Sequence, residues 1–146
     1  MGEAMTLLSQ LLDRKGHGVH AVASGASVID AIRSMADNHV GALLVLDGGK
    51  LVGIVSERDY ARKVILHGRA SSSTAVREIM STPVVTVAPE DTVDQAMRIM
   101  TDRRIRHLPV VQGEQVLGVV SIGDLVRSVI DAQRSTIEAL QSYIQG

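Results

Sequence analysis

Two stretches of this chain carry the same polar residues at the same spacing: Gly53-Ile54-Val55-Ser56-Glu57-Arg58-Asp59 and Gly118-Val119-Val120-Ser121-Ile122-Gly123-Asp124. An apolar run that ends on Ser, with Asp three residues later, is the pattern of a strand passing into a helix. Two chemical readings of that junction stand side by side. In one, Ser caps the helix and Asp sits near the positive end of its dipole, an arrangement that stabilises without any ligand. In the other, the exposed N–H groups of the helix start and the serine hydroxyl receive a phosphate. The aspartate, one turn in, then accepts two hydrogen bonds from a ribose cis-diol, which a deoxyribose does not supply. The two readings are compatible with each other.

The elements that must position these groups also occur twice. Val22–Ile65 and Val87–Ile130 align without a gap at a constant offset of 65 residues, with Val28/Val93, Ala31/Ala96, Met35/Met100, Val45/Val110, Gly53/Gly118, Ser56/Ser121 and Asp59/Asp124 identical. Two copies make a paired module, since a solenoid needs about three or more units. Each copy reads as strand, helix, two strands, helix. The first helix puts Val28, Ala31, Ile32, Met35 and Ala36 on one face, a stripe repeated by Val93, Ala96, Met97 and Met100. Ser27 with Asp30, and Thr92 with Gln95, are read as capping boxes. Strands are expected over Ala42–Leu46 and Leu51–Val55, joined through Asp47-Gly48-Gly49-Lys50, and over Leu108–Val111 and Val116–Val120, joined through Gln112-Gly113-Glu114-Gln115. They lack clean alternation, which predicts burial on both faces.

A closing helix is predicted near Glu57–Leu66 and another from about Ile122, the second running on through Ile137, Leu140 and Ile144 as a tail that caps the module or pairs with a second subunit. Met5, Leu8, Leu11 and Leu12 predict a short amphipathic helix ending at Lys15-Gly16. The expected organisation is an N-terminal helix over 1–15, a repeat over 16–68, a polar linker over 69–75, a repeat over 76–132 and a helical extension over 133–146. Val76–Met80 reads as a short helix leading to Pro83.

Composition narrows the function classes. A chain of 146 residues with net charge −1, two Tyr, no Phe and no Trp is poorly equipped to grip nucleic acid, which wants a basic face and stacking platforms. With no cysteine there is neither disulfide nor thiolate metal site, which fits a reducing, cytoplasmic setting. No apolar run approaches the length of a membrane span, about 18 residues. The start Met1-Gly2-Glu3-Ala4-Met5-Thr6 formally fits the N-myristoylation pattern, a pattern too short to carry an assignment. Gly16-His17-Gly18-Val19-His20-Ala21 spells G-x-G-x-x-A, but it follows a predicted helix and opens a predicted strand, the reverse of a dinucleotide loop. His17 and His20 lack the further ligands that would complete a metal site, so no metal is assigned. Met80, Met97 and Met100 read as packing, and Tyr60 either borders a bound base or packs in the core.

The chain resembles a tandem CBS-domain protein, a Bateman module of the small stand-alone type, over nearly its whole length. The resemblance is carried by the paired junctions, by Asn38-His39-Val40-Gly41-Ala42-Leu43, by Ile105-Arg106-His107-Leu108-Pro109-Val110, and by Ser56-Glu57-Arg58-Asp59-Tyr60-Ala61-Arg62-Lys63. It implies an α+β fold: two pseudo-symmetric β-α-β-β-α repeats packed into one disc-like module, with an extended C-terminal helix and two clefts between repeats, each able to take an adenosine-containing ligand. It implies that Asp59 and Asp124 hold the ribose hydroxyls and that Ser56 and Ser121 meet phosphate, with Pro109 and Val84 as further ligand-binding candidates. The copies differ at the phosphate position. Arg106-His107 of the second stands where the first has Gly41-Ala42, with Arg103 and Arg104 nearby on the exposed end of the preceding helix. Arginine suits bidentate phosphate contacts, and His107 adds charge near neutral pH when a phosphate raises its pKa. Two unequal sites are therefore expected, with Lys15 and Arg58 as sources of charge for the weaker, first one.

The resemblance implies a non-enzymatic regulatory module, sensing energy or redox state through an adenine nucleotide and acting on a separate partner protein, the module itself forming a homodimer. AMP or NAD(H) is the preferred ligand, because one Arg-His pair suits one or two phosphates better than three. ADP, ATP and S-adenosylmethionine share the adenosine. No obligatory cofactor and no catalytic residue are assigned. The alternatives are a structural or dimerisation adaptor without a physiological ligand and, behind it, a nucleotide-processing enzyme.

Overall fold

The computed structural model describes residues 6–145, so the myristoylation pattern and Met5 lie outside the described residues. In chain order the elements are α1 (Leu8–Lys15), β1 (Ala21–Val22), α2 (Val28–Asn38), β2 (Ala42–Asp47), β3 (Lys50–Ser56), α3 (Glu57–Tyr60), α4 (Val93–Arg103), β4 (His107–Gln112), β5 (Gln115–Ser121) and α5 (Ile122–Gln145). The α+β reading of two like repeats with a long final helix holds. The chain packs as two compact units: Val19–Val85, and the described residues up to Gly18 together with those from Thr86 onward. The packing units thus exchange ends relative to the sequence repeats. Val76 and Ile79, just past the linker, are core residues of the first unit, whereas α1 packs against β5 and α5 of the second.

In the unit Val19–Val85 a three-stranded sheet runs in the order β1-β2-β3, parallel then antiparallel. Gly48 (φ 57°) and Gly49 (φ 80°) make the hairpin turn, a left-handed pair that residues with a β-carbon rarely adopt. Leu43, Leu44 and Val45 are buried in succession, as expected of a strand covered on both faces. Val28, Ala31 and Met35 of α2 close the core with Val55, Val64, Val76 and Ile79. Ser27 caps α2 by accepting from the Asp30 N–H at 3.2 Å. The predicted capping box is only half formed there, because the Asp30 carboxylate faces Arg33 at 3.9 Å, whereas Thr92 and Gln95 make both bonds at the start of α4. The polar linker is packed rather than loose: Thr74 is 3% exposed and donates to the Ala70 carbonyl, while Ser71 and Thr74 carbonyls accept from the first turn of α2.

The second unit repeats the plan with two departures. Its first strand shrinks to one parallel bridge, Val87 to Val110, because Pro109, which stands where β2 has Leu44, has no N–H to make the bond that Leu44 gives to the His20 carbonyl. Its closing helix is one continuous α-helix, α5, whereas in the first copy α3 passes into a π-helical turn over Ala61–Ile65. The β4–β5 hairpin carries its register shift at Val110/Val111, the counterpart of Val45/Leu46 in β2–β3. His39 and Arg104, again equivalent positions, both end their helices in the left-handed conformation.

The glycine that opens each junction motif has a packing cause. A β-carbon on Gly53 would stand 2.5 Å from the Met80 sulfur, and one on Gly118 would stand 2.7 Å from a Leu12 methyl. Gly53→Ala is accordingly expected to destabilise its unit by about 1–3 kcal/mol through overpacking. A lowered urea midpoint reads this, and adding Met80→Ala should recover part of the loss.

Candidate functional site

The second junction forms where β5 ends and α5 begins. Ser121 accepts from the Asp124 N–H at 3.2 Å, and the Asp124 carboxylate accepts from the Ser121 N–H at 2.8 Å, a reciprocal cap that holds the first turn. The β4–β5 register sets His107 directly opposite Ser121, so the two side chains leave the hairpin on one face. Lys15 enters from α1. Leu8, Leu11 and Leu12 are buried, which fixes the helix so that its last turn reaches this point. The Lys15 ammonium donates to Asp124 Oδ2 at 2.6 Å and to the Val119 carbonyl, and Arg127 stands 3.6 Å from Asp124 Oδ1. Lys15 therefore stands at the second junction, whereas the sequence reading assigns its charge to the first. The partner lies 109 residues away along the chain, and only the docking of α1 brings the two together.

The electrostatics follow from this crowding. Burial pushes the Asp124 carboxyl up, but the Lys15 ammonium and the Ser121 N–H more than offset it, leaving the pKa below its ordinary value. Burial, with the positive charges of Lys15 and Arg106, pushes His107 below its ordinary 6.5, while Asp124 pulls the other way. The neutral imidazole is therefore favoured in this structure. Arg106, Arg103 and Arg104 are exposed. Pro109 is buried, on the same face of β4 as His107.

At the first junction Ser56 and Asp59 make the same reciprocal cap, the backbone bonds measuring 3.0 and 3.2 Å. Ala42 is the residue opposite Ser56, so the cross-strand position that holds His107 in the second junction carries no imidazole here. Two groups not singled out from sequence complete the surroundings. Lys63 lies 3.3 Å from Asp59 Oδ1 and donates to the Ile79 carbonyl, and Ser81 donates to Asp59 Oδ1 at 3.4 Å. The i, i+4 spacing of Asp59 and Lys63 was the available signal for the first; nothing local announced Ser81. Arg58 is exposed on α3, and Val84 is half-buried in the same unit. Tyr60 packs against the core with its hydroxyl on Ser71, which decides for packing over a base-bordering role.

The remaining signals resolve simply. His17 bonds the Leu117 carbonyl at 2.8 Å and Asp13 at 3.2 Å, contacts that raise its pKa and tie the segment after α1 to β5. The G-x-G-x-x-A stretch follows α1 and leads into β1, the wrong context for a dinucleotide loop. Among the described residues no group of His, Asp and Glu is placed to hold a metal, and no helix is long and apolar enough to cross a membrane.

Comparison with known proteins places these junctions in a family setting. The family model described as CBS domain matches residues 16–66 and 76–131. The CBS domain-containing protein CBSX3, mitochondrial, of Arabidopsis thaliana is 42% identical over 154 aligned positions, covering 99% of this chain and 75% of that protein. A solved protein with CBS domains from Burkholderia ambifaria superposes with a TM-score of 0.84 at 47% identity, covering 86% of this chain and 95% of that one. The CBS domain pair of protein MJ0100, solved with 5'-methylthioadenosine and S-adenosyl-L-methionine, superposes with a TM-score of 0.75 at 27% identity, covering 84% of this chain and 94% of that one.

Proposed function

The chain belongs to the CBS-domain family, and from that premise we propose that it is a regulatory module that binds an adenine nucleotide at its strand-to-helix junctions and acts on a separate protein. The observation that carries the reading is the second junction, where Asp124, Ser121, Lys15 and His107 meet at one helix start. A carboxylate there offers two acceptors to a ribose diol. The serine hydroxyl, the ammonium and an imidazole that can take up a proton are complementary to a phosphate. The MJ0100 pair, solved with two adenosine compounds, supports the ligand class. Within it AMP or NAD(H) is preferred, because one histidine and one lysine match one or two phosphates. The first junction, with Ala42 in place of His107, is the weaker site. The module works as a homodimer and performs no catalytic step; the nucleotide changes the partner by binding one conformation more tightly than another. The proposal retains a cytoplasmic setting, which cell fractionation checks; the Arabidopsis relative is by name mitochondrial.

A thermal-shift screen of AMP, ADP, ATP, NAD(H) and S-adenosylmethionine, followed by mass spectrometry of ligand carried through purification, tests the reading. Stabilisation by none of them, with no adenosine compound retained, rejects it and favours the adaptor. The adaptor has its own support, since both carboxylates are satisfied by their own helix starts without a ligand.

The depressed His107 pKa makes a second test. The unfolded chain takes up the imidazole proton near 6.5 and the folded chain only lower, so unliganded stability falls as pH drops through that window. A bound phosphate reverses the sign by raising the pKa, so that binding takes up a proton. AMP affinity should rise between pH 7.5 and 6.5, with the slope removed in His107→Gln; calorimetry in buffers of different ionisation heat reads the proton directly. Equal slopes in both proteins exclude His107 from the phosphate contact.

A further inference from the structure

Among the described residues, one face of α5 is left exposed along most of the helix. Leu125 is fully buried, yet Val126 (41% exposed), Ile130 (44%), Ile137 (54%), Leu140 (58%) and Ile144 (81%) stand open on one side. Their spacing alternates four, seven, three and four, and Gln133 occupies the one missing step. This is a heptad seam with Ile130, Ile137 and Ile144 at a and with Val126, Gln133 and Leu140 at d. Over Val126–Ile144 it runs about 28 Å. A solitary helix of such length with Ser135, Thr136 and Ser142 in it is marginal in water, so the seam calls for a partner.

We propose that the occupant is a second copy of this chain, with the two α5 helices joined in a parallel two-stranded coiled coil. Isoleucine at every a position, with Leu140 at one d position and a polar Gln133 at another, favours two strands. The polar and charged groups choose the direction. In a parallel pair each Gln133 faces its counterpart and the two amides hydrogen-bond to each other. Arg134 then flanks Val129 of the second copy, and Gln141 flanks Thr136. In an antiparallel pair of full overlap, Gln133 is driven against Ile137 and Arg134 is set against Arg134, a buried amide without a partner and a like-charge contact. The inference names the surface behind the homodimer proposed above. It needs no nucleotide, so its failure leaves the ligand reading intact.

Sedimentation equilibrium of the full chain without nucleotide should give twice the 15.6 kDa chain mass, and Ile137→Asp combined with Leu140→Asp should return it to one. Both positions are exposed, so the double variant should keep the thermal midpoint of the folded body. The chain has no cysteine, so Gln133→Cys alone reports direction: a disulfide-linked dimer under mild oxidation supports the parallel seam. A monomeric wild type, or a dimer that survives the double aspartate variant, overturns the proposal. So does a Gln133→Cys protein that stays uncrosslinked while mixed Ile130→Cys and Leu140→Cys chains crosslink.

Discussion

Replacing Asp124 by Ala is expected to lower affinity for the adenine nucleotide by about tenfold to a hundredfold, the loss of a charge-assisted hydrogen bond worth about 1.5–3 kcal/mol. The ligand-induced rise in melting temperature should shrink accordingly. Truncation also removes the cap on the Ser121 N–H, which costs helix stability of about 1 kcal/mol. Asp124→Asn separates the two effects, because the amide oxygen still accepts from that N–H while the charge that attracts Lys15 is gone. Loss of binding in Asp124→Asn with an unchanged unliganded midpoint places the carboxylate on the ligand. Asp59→Ala should have the smaller effect, since its junction lacks the imidazole. An unaltered ligand shift in the double Asp59→Ala, Asp124→Ala protein would reject the ribose assignment.

Leu12→Ala should produce the largest loss of stability, about 2–5 kcal/mol, because the side chain is fully buried and its methyls lie directly over Gly118. Denaturant unfolding reads it as a lower midpoint, with Leu12→Met, which conserves volume, losing less than about 1.5 kcal/mol. The consequence reaches the site. Lys15 is held at Asp124 by the docking of α1, so a loosened helix should free the carboxylate and change nucleotide affinity as well as stability. A midpoint equal to wild type would mean that α1 does not belong to the folded unit.

The hairpins, both long helices and the paired Ser-Asp junctions were legible because each rests on short-range pattern. The Gly48-Gly49 turn, the i, i+3, i+4 stripe of α2 and the three-residue spacing of Ser121 and Asp124 are visible within one or two turns of chain. Even the difference between the junctions could be read, since a constant offset aligns Ala42 with His107 and the strand register sets each opposite its serine. The π-helical turn after α3 had no such signature. It coincides with tertiary bonds from Tyr60 to Ser71 and from Lys63 to Ile79, whose partners lie outside the helix. The shortened first strand of the second copy was written in Pro109 but needed the Val87–Val110 pairing to be recognised.

What the amino-acid order determined alone is therefore the duplicated module, its element types and the residues at each strand-to-helix corner, all set by local periodicity and capping. The tertiary structure decided which distant charge meets which carboxylate: Lys15 at Asp124, Lys63 and Ser81 at Asp59. It also decided that the shared glycine makes room for a neighbouring side chain, Met80 or Leu12. The physical reason is range. Periodicity and capping act over a few residues, whereas the place of a flexible cation depends on how the helix carrying it packs, which no spacing along the chain records.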